Sequence, residues 1–360
     1  MIGDLPNDIL HRVLELIPIQ DAAKTSILSK RWTQIWSTQP HLVFDRHFFQ
    51  YVSNKDASVA SIIHKILMQH TGNILGFHLM SKTHELSQSD VDQCIIFVSK
   101  QGIQKLTLDL AKSNAGKYRL PCRIFTCSTL THLKLSRCIF KVPDGTQFPN
   151  LVCLELNRSE VDRRRGSEGS LILPMLEILK LRCCIGVSRV NIFAPKIENL
   201  SIVSSYTVTF QCFNVNPIFT SIKHLCFNGT SLEVDETLSQ TTKLLSYLSR
   251  EENHVNEALR MIRTVRLRKF KGSSTEMYLI KVLLAHSPRL EWLIIEQCEK
   301  TNATSCKAHL WELISFHRAS PIAVISCEEQ LQSLYSCGEL TYTVSKGTDI
   351  DLFPLLFLGL

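Results

Sequence analysis

At 360 residues, with 44% hydrophobic and 20% charged side chains, the chain has the balance of a folded globular protein and room for one large or two ordinary domains. That balance excludes a disordered chain, and the formal charge of +7 argues only for solubility and a loose attraction to acidic partners. The opening residues interleave Asp4, Asp8, Glu15 and Asp21 with apolar positions, so no secretory signal is visible. The late apolar run LFPLLFLGL at 352–360 is far short of the roughly 20 residues a membrane span needs. Thirteen cysteines without paired spacing are expected to be free thiols in a reducing compartment, the cytoplasm and/or nucleus. The sequons at Asn157, Asn199, Asn228 and Asn302 are then chance matches.

The first predicted elements lie in LPNDILHRVLELIPIQDAAKTSILSKRWTQIW at 5–36. Asp4 is placed to cap a first helix, with Pro6 tolerated in its first turn. Ile9, Leu10, Val13, Leu14 and Ile17 recur on one face, and Pro18 stops the helix. A second helix begins near Gln20, where Ala22, Ala23 and Ser26 permit close contact. Ser29 caps a third that bears Trp32, Ile35 and Trp36. So short a bundle falls below the size that supports its own core, so leftover apolar surface must dock on something, either the rest of the chain or a partner. Lys30 and Arg31 at the start of the third helix are locally unfavourable to its dipole.

The order LPNDIL, IPIQDAAKTSILSKRW and the exit PHLVFD at 40–45 resembles a plant-type F-box, with its Leu-Pro opening and the Ser29 to Trp32 closing element. The resemblance implies docking on a Skp-type adaptor and, through it, a cullin scaffold. By matching position it assigns Leu5, Pro6, Ile9, Leu10, Leu14 and Trp32 to that interface or its immediate support.

The spacer at 46–102 reads as a helix at VASIIHKILMQH, a strand near ILGFHLM and a helix near VDQCIIFVSK, the first atypical turns of a repeat array. An LxxLxL-like unit then recurs with starts at 103, 130, 151, 176, 197, 222, 262 and 290, intervals of 27, 21, 25, 21, 25, 40 and 28 residues. All but one match leucine-rich repeats. Each unit is a short strand that cannot bury its apolar face alone, so neighbours must stack into a curved solenoid. Leu133, Leu135, Leu154, Leu156, Leu179 and Leu181 should point inward. The alternates Lys134, Glu155, Lys180, Arg182, Ser201, Arg266, Arg268 and Glu296 should line the open face, where such proteins bind targets. Cys138, Cys184 and Cys298 fall at the Asn/Cys position of the repeat and read as buried structural thiols. The long interval holds an apolar-periodic helical insertion at 238–262.

TVRLRKFKGSSTEMYLIKVLLAHSPRLEWLIIEQ with FHRASPIAVIS at 316–326 resembles an FBD module. The expected organisation is an F-box at 1–45, the spacer at 46–102, repeats at 103–262, an FBD-like end at 263–326 and a divergent tail at 327–360. The fold class is α/β, a short three-helix F-box followed by an irregular leucine-rich-repeat solenoid with parallel strands on its concave face.

A search for chemistry finds no CxxC pair, phosphate loop, dinucleotide fingerprint or zinc-protease helix, and no cofactor is expected. Cys306, His309 and Cys298 have no zinc-site spacing, so no metal is expected. RRRGSEGS at 163–170 reads as a solvated loop, and VRLRKFK at 265–271 as a strand with Arg266 and Arg268 on one face. Without stacking aromatics or a matching fold this argues against nucleic acid, and a basic rim better suits an acidic protein segment. The family resemblance implies a non-catalytic substrate receptor of a Skp–cullin–F-box ubiquitin ligase. A non-degradative interaction scaffold is the rival reading, and a small-molecule receptor has no supporting feature.

Overall fold

Every repeat strand alternates an inward apolar residue with an outward one, and the inward rows can be covered only by the next strand in register. The architecture follows from that requirement. A computed structural model describes residues 5–53, 58–81, 86–110, 116–141, 143, 147–162, 170–185, 191–203, 221–228, 259–297, 312–328 and 341–344. The chain divides into two compact units, residues 1–176 and 177–360.

The first unit opens with α1 (Asn7–Glu15), α2 (Ile19–Thr25) and α3 (Lys30–Ser37), and continues through β1 (His41–Phe44), α4 (Arg46–Val52), α5 (Val59–Gln69), β2 (Gly76–Ser81) and α6 (Gln88–Lys100). There follow β3 (Lys105–Leu110), β4 (Tyr118–Arg119), β5 (His132–Ser136), β6 (Cys138–Lys141), β7 (Cys153–Asn157), β8 (Glu160–Asp162) and β9 (Ser170–Ile172). Strands β1, β2, β3, β5 and β7 pair in that order, all parallel. Their register aligns Leu42, Phe77, Leu106, Leu133 and Leu154 in one buried row, and Phe44, Leu79, Leu108, Leu135 and Leu156 in the next. Burying each such side chain contributes about 1.5–3 kcal/mol. The expected inward leucines are all buried. The spacer elements fall where expected, and α6 begins with a capping box between Ser87 and Asp90.

A second parallel sheet of short strands, β4, β6 and β8, was not legible in the repeat pattern. Its strands β6 and β8 form where the chain turns sharply after β5 and β7. Arg137, Arg158 and Cys183 each take a positive φ of 60°, 49° and 50° immediately after their strands. The next residue in each case is buried: Cys138, Ser159 and Cys184. The two thiols donate to the carbonyls of Ser136 and Arg182, and the Ser159 hydroxyl lies 3.1 Å from the Asn157 carbonyl. Cys138 and Cys184 are therefore structural, as the repeat position implies, and serine does the same work at 159. Cys298 lies outside the described residues, as do Cys306 and His309. Among the described cysteines, Cys94, Cys122, Cys127, Cys138 and Cys226 are free thiols.

The second unit contains β10 (Ile178–Arg182), β11 (Asn191–Phe193), β12 (Asn199–Val203), β13 (His224–Asn228), β14 (Thr264–Phe270), α7 (Ser274–His286), β15 (Trp292–Gln297), β16 (Val324–Glu328) and β17 (Thr341–Val344). Strands β10, β12, β13, β14, β15 and β16 pair in parallel in that order, and β17 joins β16 antiparallel. Leu179, Leu200, Leu225, Val265, Leu293 and Ile325 form one buried row. Strand β14 breaks register between Leu267 and Phe270, where Lys269 has a φ of 53°. Helix α7 starts with a capping box in which the buried Glu276 carboxylate accepts from the Ser273 and Lys271 N–H groups at 2.9 and 3.2 Å. In the FHRASP segment, the Ser320 hydroxyl donates to the Leu290 carbonyl at 2.6 Å and Arg318 to that of Ala323 at 3.2 Å. The helical insertion at 238–262 except its last four residues, most of the tail and the loop at 163–169 lie outside the described residues.

Truncating Leu133 to Ala should destabilise the protein by about 2–5 kcal/mol in urea unfolding, whereas Lys134→Ala on the opposite face should stay within about 0.5 kcal/mol. Equal effects would mean that the register is wrong.

Candidate functional site: an apolar helix stripe and a cationic strand face

The three opening helices pack against one another. Their buried side chains are Leu10, Leu14, Ile19, Ala22, Ile35 and Trp36. Helix α1 begins at Asn7 with Pro6, not Asp4, at the cap position, and no side chain caps it. Its first turn is closed by the Pro6 carbonyl, which accepts from Ile9 and Leu10. Ser29 caps α3 as expected, accepting from the Trp32 N–H at 3.3 Å. Arg31 offsets its unfavourable place near the α3 start by donating to the Leu5 carbonyl and, at 2.9 Å, to the Asn7 side chain. It thereby fixes the chain just before α1.

The six residues assigned by resemblance divide into three groups. Leu10 and Leu14 are core. Leu5 and Trp32 are half-buried, and Pro6 and Ile9 are exposed. Helix α1 has a second apolar stripe beside its buried one, in which Ile9, Val13 and Leu16 follow i, i+4 and i+7 spacing. Leu16 is 86% exposed, and Ile27 and Leu28, in the turn before α3, are 85% and 66% exposed. Leu16 was legible from its spacing to Ile9. Ile27 and Leu28 were legible only as apolar residues in a position where a turn normally has polar ones.

The bundle runs directly into the sheet. Strand β1, directly after it, is the first strand of the sheet, and Phe44 packs edge-on against Phe48 of α4 with ring centroids 4.9 Å apart, and against Phe77 of β2 at 5.7 Å. Helix α4 escaped the sequence reading because it spans only seven residues, although Asp45 caps it by accepting from the Phe48 N–H at 3.0 Å. A buried polar bridge completes the join. His11 Nδ1 donates to Gln39 Oε1 at 2.9 Å, Gln39 Nε2 returns a bond to the His11 carbonyl at 3.3 Å, and His70 Nε2 donates to the Gln39 carbonyl at 2.8 Å. His41 Nδ1 lies 2.7 Å from Glu15 Oε1, and Gly76 faces that ring so closely that a Cβ there would sit 2.4 Å from His41 Cδ2.

On the strand face of the first unit, Lys134 and Glu155 are partners in register on adjacent strands and form an ion pair at 3.3 Å. Arg137 pairs with Asp109. In the second unit, Arg266 Nη1 and Arg268 Nε donate to the two oxygens of Glu296 at 2.7 and 2.6 Å. Arg266 and Arg268 share the open face as expected. Glu296 lies on that face but is buried beneath the two guanidiniums, which cover it. Lys180, Arg182, Arg266, Arg268 and Glu296 together line a depression of about 490 Å³. Ser201 lies in register with Lys180 and lines the same depression. Trp292, which the sequence pattern did not single out, stands 44% exposed on the same face, as its alternation with Leu293 dictates. Among the described residues, no three His, Cys, Asp or Glu side chains cluster to hold a metal, and no helix is long and apolar enough to cross a membrane.

The F-box domain family matches residues 2–44, and residues 91–217 match the leucine-rich repeats of the FBD-associated F-box protein At5g56370. The chain thus carries an F-box followed by leucine-rich repeats. Its relatives are plant F-box/FBD/leucine-rich-repeat proteins, as its opening residues implied. It is 35% identical over 184 residues to the Arabidopsis thaliana F-box/FBD/LRR-repeat protein At1g13570, covering 50% of this chain and 43% of that protein. Against the FBD-associated F-box protein At5g56370 of the same plant it is 31% identical over 155 residues, 43% of this chain and 35% of the relative. Against its F-box/LRR-repeat protein At3g58980 the figures are 29% over 251 residues, 66% and 40%. In each case the match spans less than half of the relative's length. No solved structure matches the chain.

Burial holds the imidazoles of His70 and His78 below their ordinary 6.5, so both fold neutral. The unfolded chain takes up those protons first as the pH falls, so their contribution is complete above 6.5 and declines below it. Replacing His70 by Gln, which keeps a donor for the Gln39 carbonyl, should make the loss of stability between neutral pH and about 5.5 shallower than in the parent protein. Parallel urea curves across that range would contradict this.

Proposed function

We propose that this chain is the substrate-recognition subunit of a Skp–cullin–F-box ubiquitin ligase. The observation that supports this reading is the second apolar stripe on α1, left open although the bundle's own core is filled. F-box domains bind Skp-type adaptors, and here Ile9, Val13 and Leu16, with Leu5 and Pro6 just before α1 and Ile27 and Leu28 just before α3, supply the docking surface. Leu10, Leu14 and Trp32 give it immediate support. The adaptor brings a cullin scaffold, and the open strand face, with Lys134 and Glu155 in the first unit and Lys180, Arg182, Arg266, Arg268 and Glu296 in the second, takes an unknown target protein.

The chain's contribution is proximity rather than bond chemistry, since holding a target beside the conjugating machinery raises its effective concentration. It acts without cofactor, metal, nucleic acid or membrane, in the cytoplasm and/or nucleus. The division into F-box 1–45, spacer 46–102, repeats 103–262, FBD-like end 263–326 and tail 327–360 belongs to the same reading. It accommodates the capping box of α7 and the FHRASP turn as fixed points of the end module.

Capture of the full chain by an immobilised Skp-type adaptor tests the proposal. Leu16→Asp with Ile27→Asp changes only exposed side chains, so the melting curve should be unmoved while capture weakens at least about tenfold, in line with binding energy concentrated in a few apolar anchors. Undiminished capture would remove the adaptor surface and with it the ligase reading.

A further inference from the structure

We infer that Arg318 is the centre of a small-oxyanion site in the second unit, one that takes a single phosphate or carboxylate group by two of its oxygens. The inference stands apart from the receptor reading, because it concerns the FHRASP segment and not the adaptor or target surface. Arg318 precedes β16 and is only 6% exposed. Its Nη1 donates to the Ala323 carbonyl at 3.2 Å, whereas Nε and Nη2 are buried without a hydrogen-bond partner. Those two nitrogens form one edge of the guanidinium, the pair of parallel N–H groups that meets both oxygens of a carboxylate or phosphate at once. A guanidinium only donates, so nothing but an acceptor satisfies that edge.

The backbone around the edge is tied down. The Ala319 N–H donates to the Leu284 carbonyl at 2.8 Å, and the Ser320 hydroxyl to that of Leu290 at 2.6 Å. The first of these bonds joins the Arg318 segment to the end of α7. There Ser287, at the C-cap and fully buried, carries a hydroxyl that is also without a partner. Two segments linked by one hydrogen bond thus each hold a buried donor with nothing to receive it. Charge leads to the same place. A buried cation is tolerated when an anion offsets it, and a lone one is strongly destabilising. Among the described residues no acid offsets Arg318, and burial alone holds its pKa below the usual arginine value. Glu296, the buried carboxylate of the same unit, accepts from two arginines, so Arg318 departs from the way this unit treats charge. With so little surface open, the site suits a small free anion, since a polypeptide segment would have to bring its backbone in as well.

The test follows thermal unfolding of the full chain in sodium phosphate, sodium acetate and sodium chloride at matched ionic strength. The first two salts separate a phosphate from a carboxylate ligand. At about 10 mM, at least one of them should raise the melting temperature by at least about 2 °C over chloride. Arg318→Met keeps the apolar stem and removes the donors, so its melting curve should not distinguish the three salts. In chloride it should melt no lower than the parent, because an unpaired buried charge has been removed. Arg318→Lys keeps the charge but not the two-pronged edge and should lose most of the rise, and it carries the comparison should the methionine variant fail to fold. Ser287→Ala should reduce the rise without abolishing it. No response of the parent beyond chloride, or an equal response in the parent and in either Arg318 variant, overturns the inference. Adaptor capture is a separate measurement, so failure here leaves the receptor reading standing, and loss of capture leaves this one.

Discussion

The protein depends on one constraint: no strand in it can cover its own apolar row. Leu133 and Leu135 are sealed only because Leu106 and Leu108 lie on one side and Leu154 and Leu156 on the other. A leucine row is useful solely in register with the next, so pairing, spacing and the direction of every outward side chain are set together. The sharp turns after β5, β7 and β10 serve the same end. A residue at positive φ redirects the chain, and the buried thiol or hydroxyl just after it satisfies carbonyls that the strand end leaves open. Arginine occupies that strained position at 137 and 158, where a β-branched residue would be costly.

The F-box obeys the same rule with a different outcome. Its helix α1 has two apolar stripes, and three short helices provide enough partner surface for only one of them. Leu10 and Leu14 are buried, whereas Leu16 stays almost wholly in water. The cost of that exposure is borne by a strong attachment elsewhere. Phe44, Phe48 and Phe77 pack at the exit, and Gln39 ties α1 to the end of α5 through His11 and His70.

Much of this was legible in the sequence, for physical reasons. Period-two leucine patterns leave few alternatives, so the strands fell where LTHLKL or LEILKL put them, and Ser29 before an apolar run marked a helix start. What escaped was whatever depended on distant groups. Helix α4 is too short to show a period. Strands β4, β6 and β8 have at most four residues, and β6 and β8 are specified by the turn before them rather than by their own pattern. Arg31 looked misplaced because the helix dipole is visible locally and the Leu5 carbonyl is not. Glu296 read as an outward residue from alternation alone. Its burial follows from two arginines on the neighbouring strand, whose convergence needs the register of β14 against β15. The resemblance assigned Leu10 and Ile9 alike to the adaptor surface or its support, and only packing separates the one that faces in from the one that faces out.

The matched F-box ends at residue 44, and residue 44 is also the last of β1. The boundary between the two modules therefore runs through a shared strand rather than a tether. Anything gripping α1 and anything resting on the strands of the first unit are set at one separation and one angle when the polypeptide folds, with no slack for later adjustment. Changing that reach would require rebuilding the hinge-free junction itself, since there is no linker to lengthen.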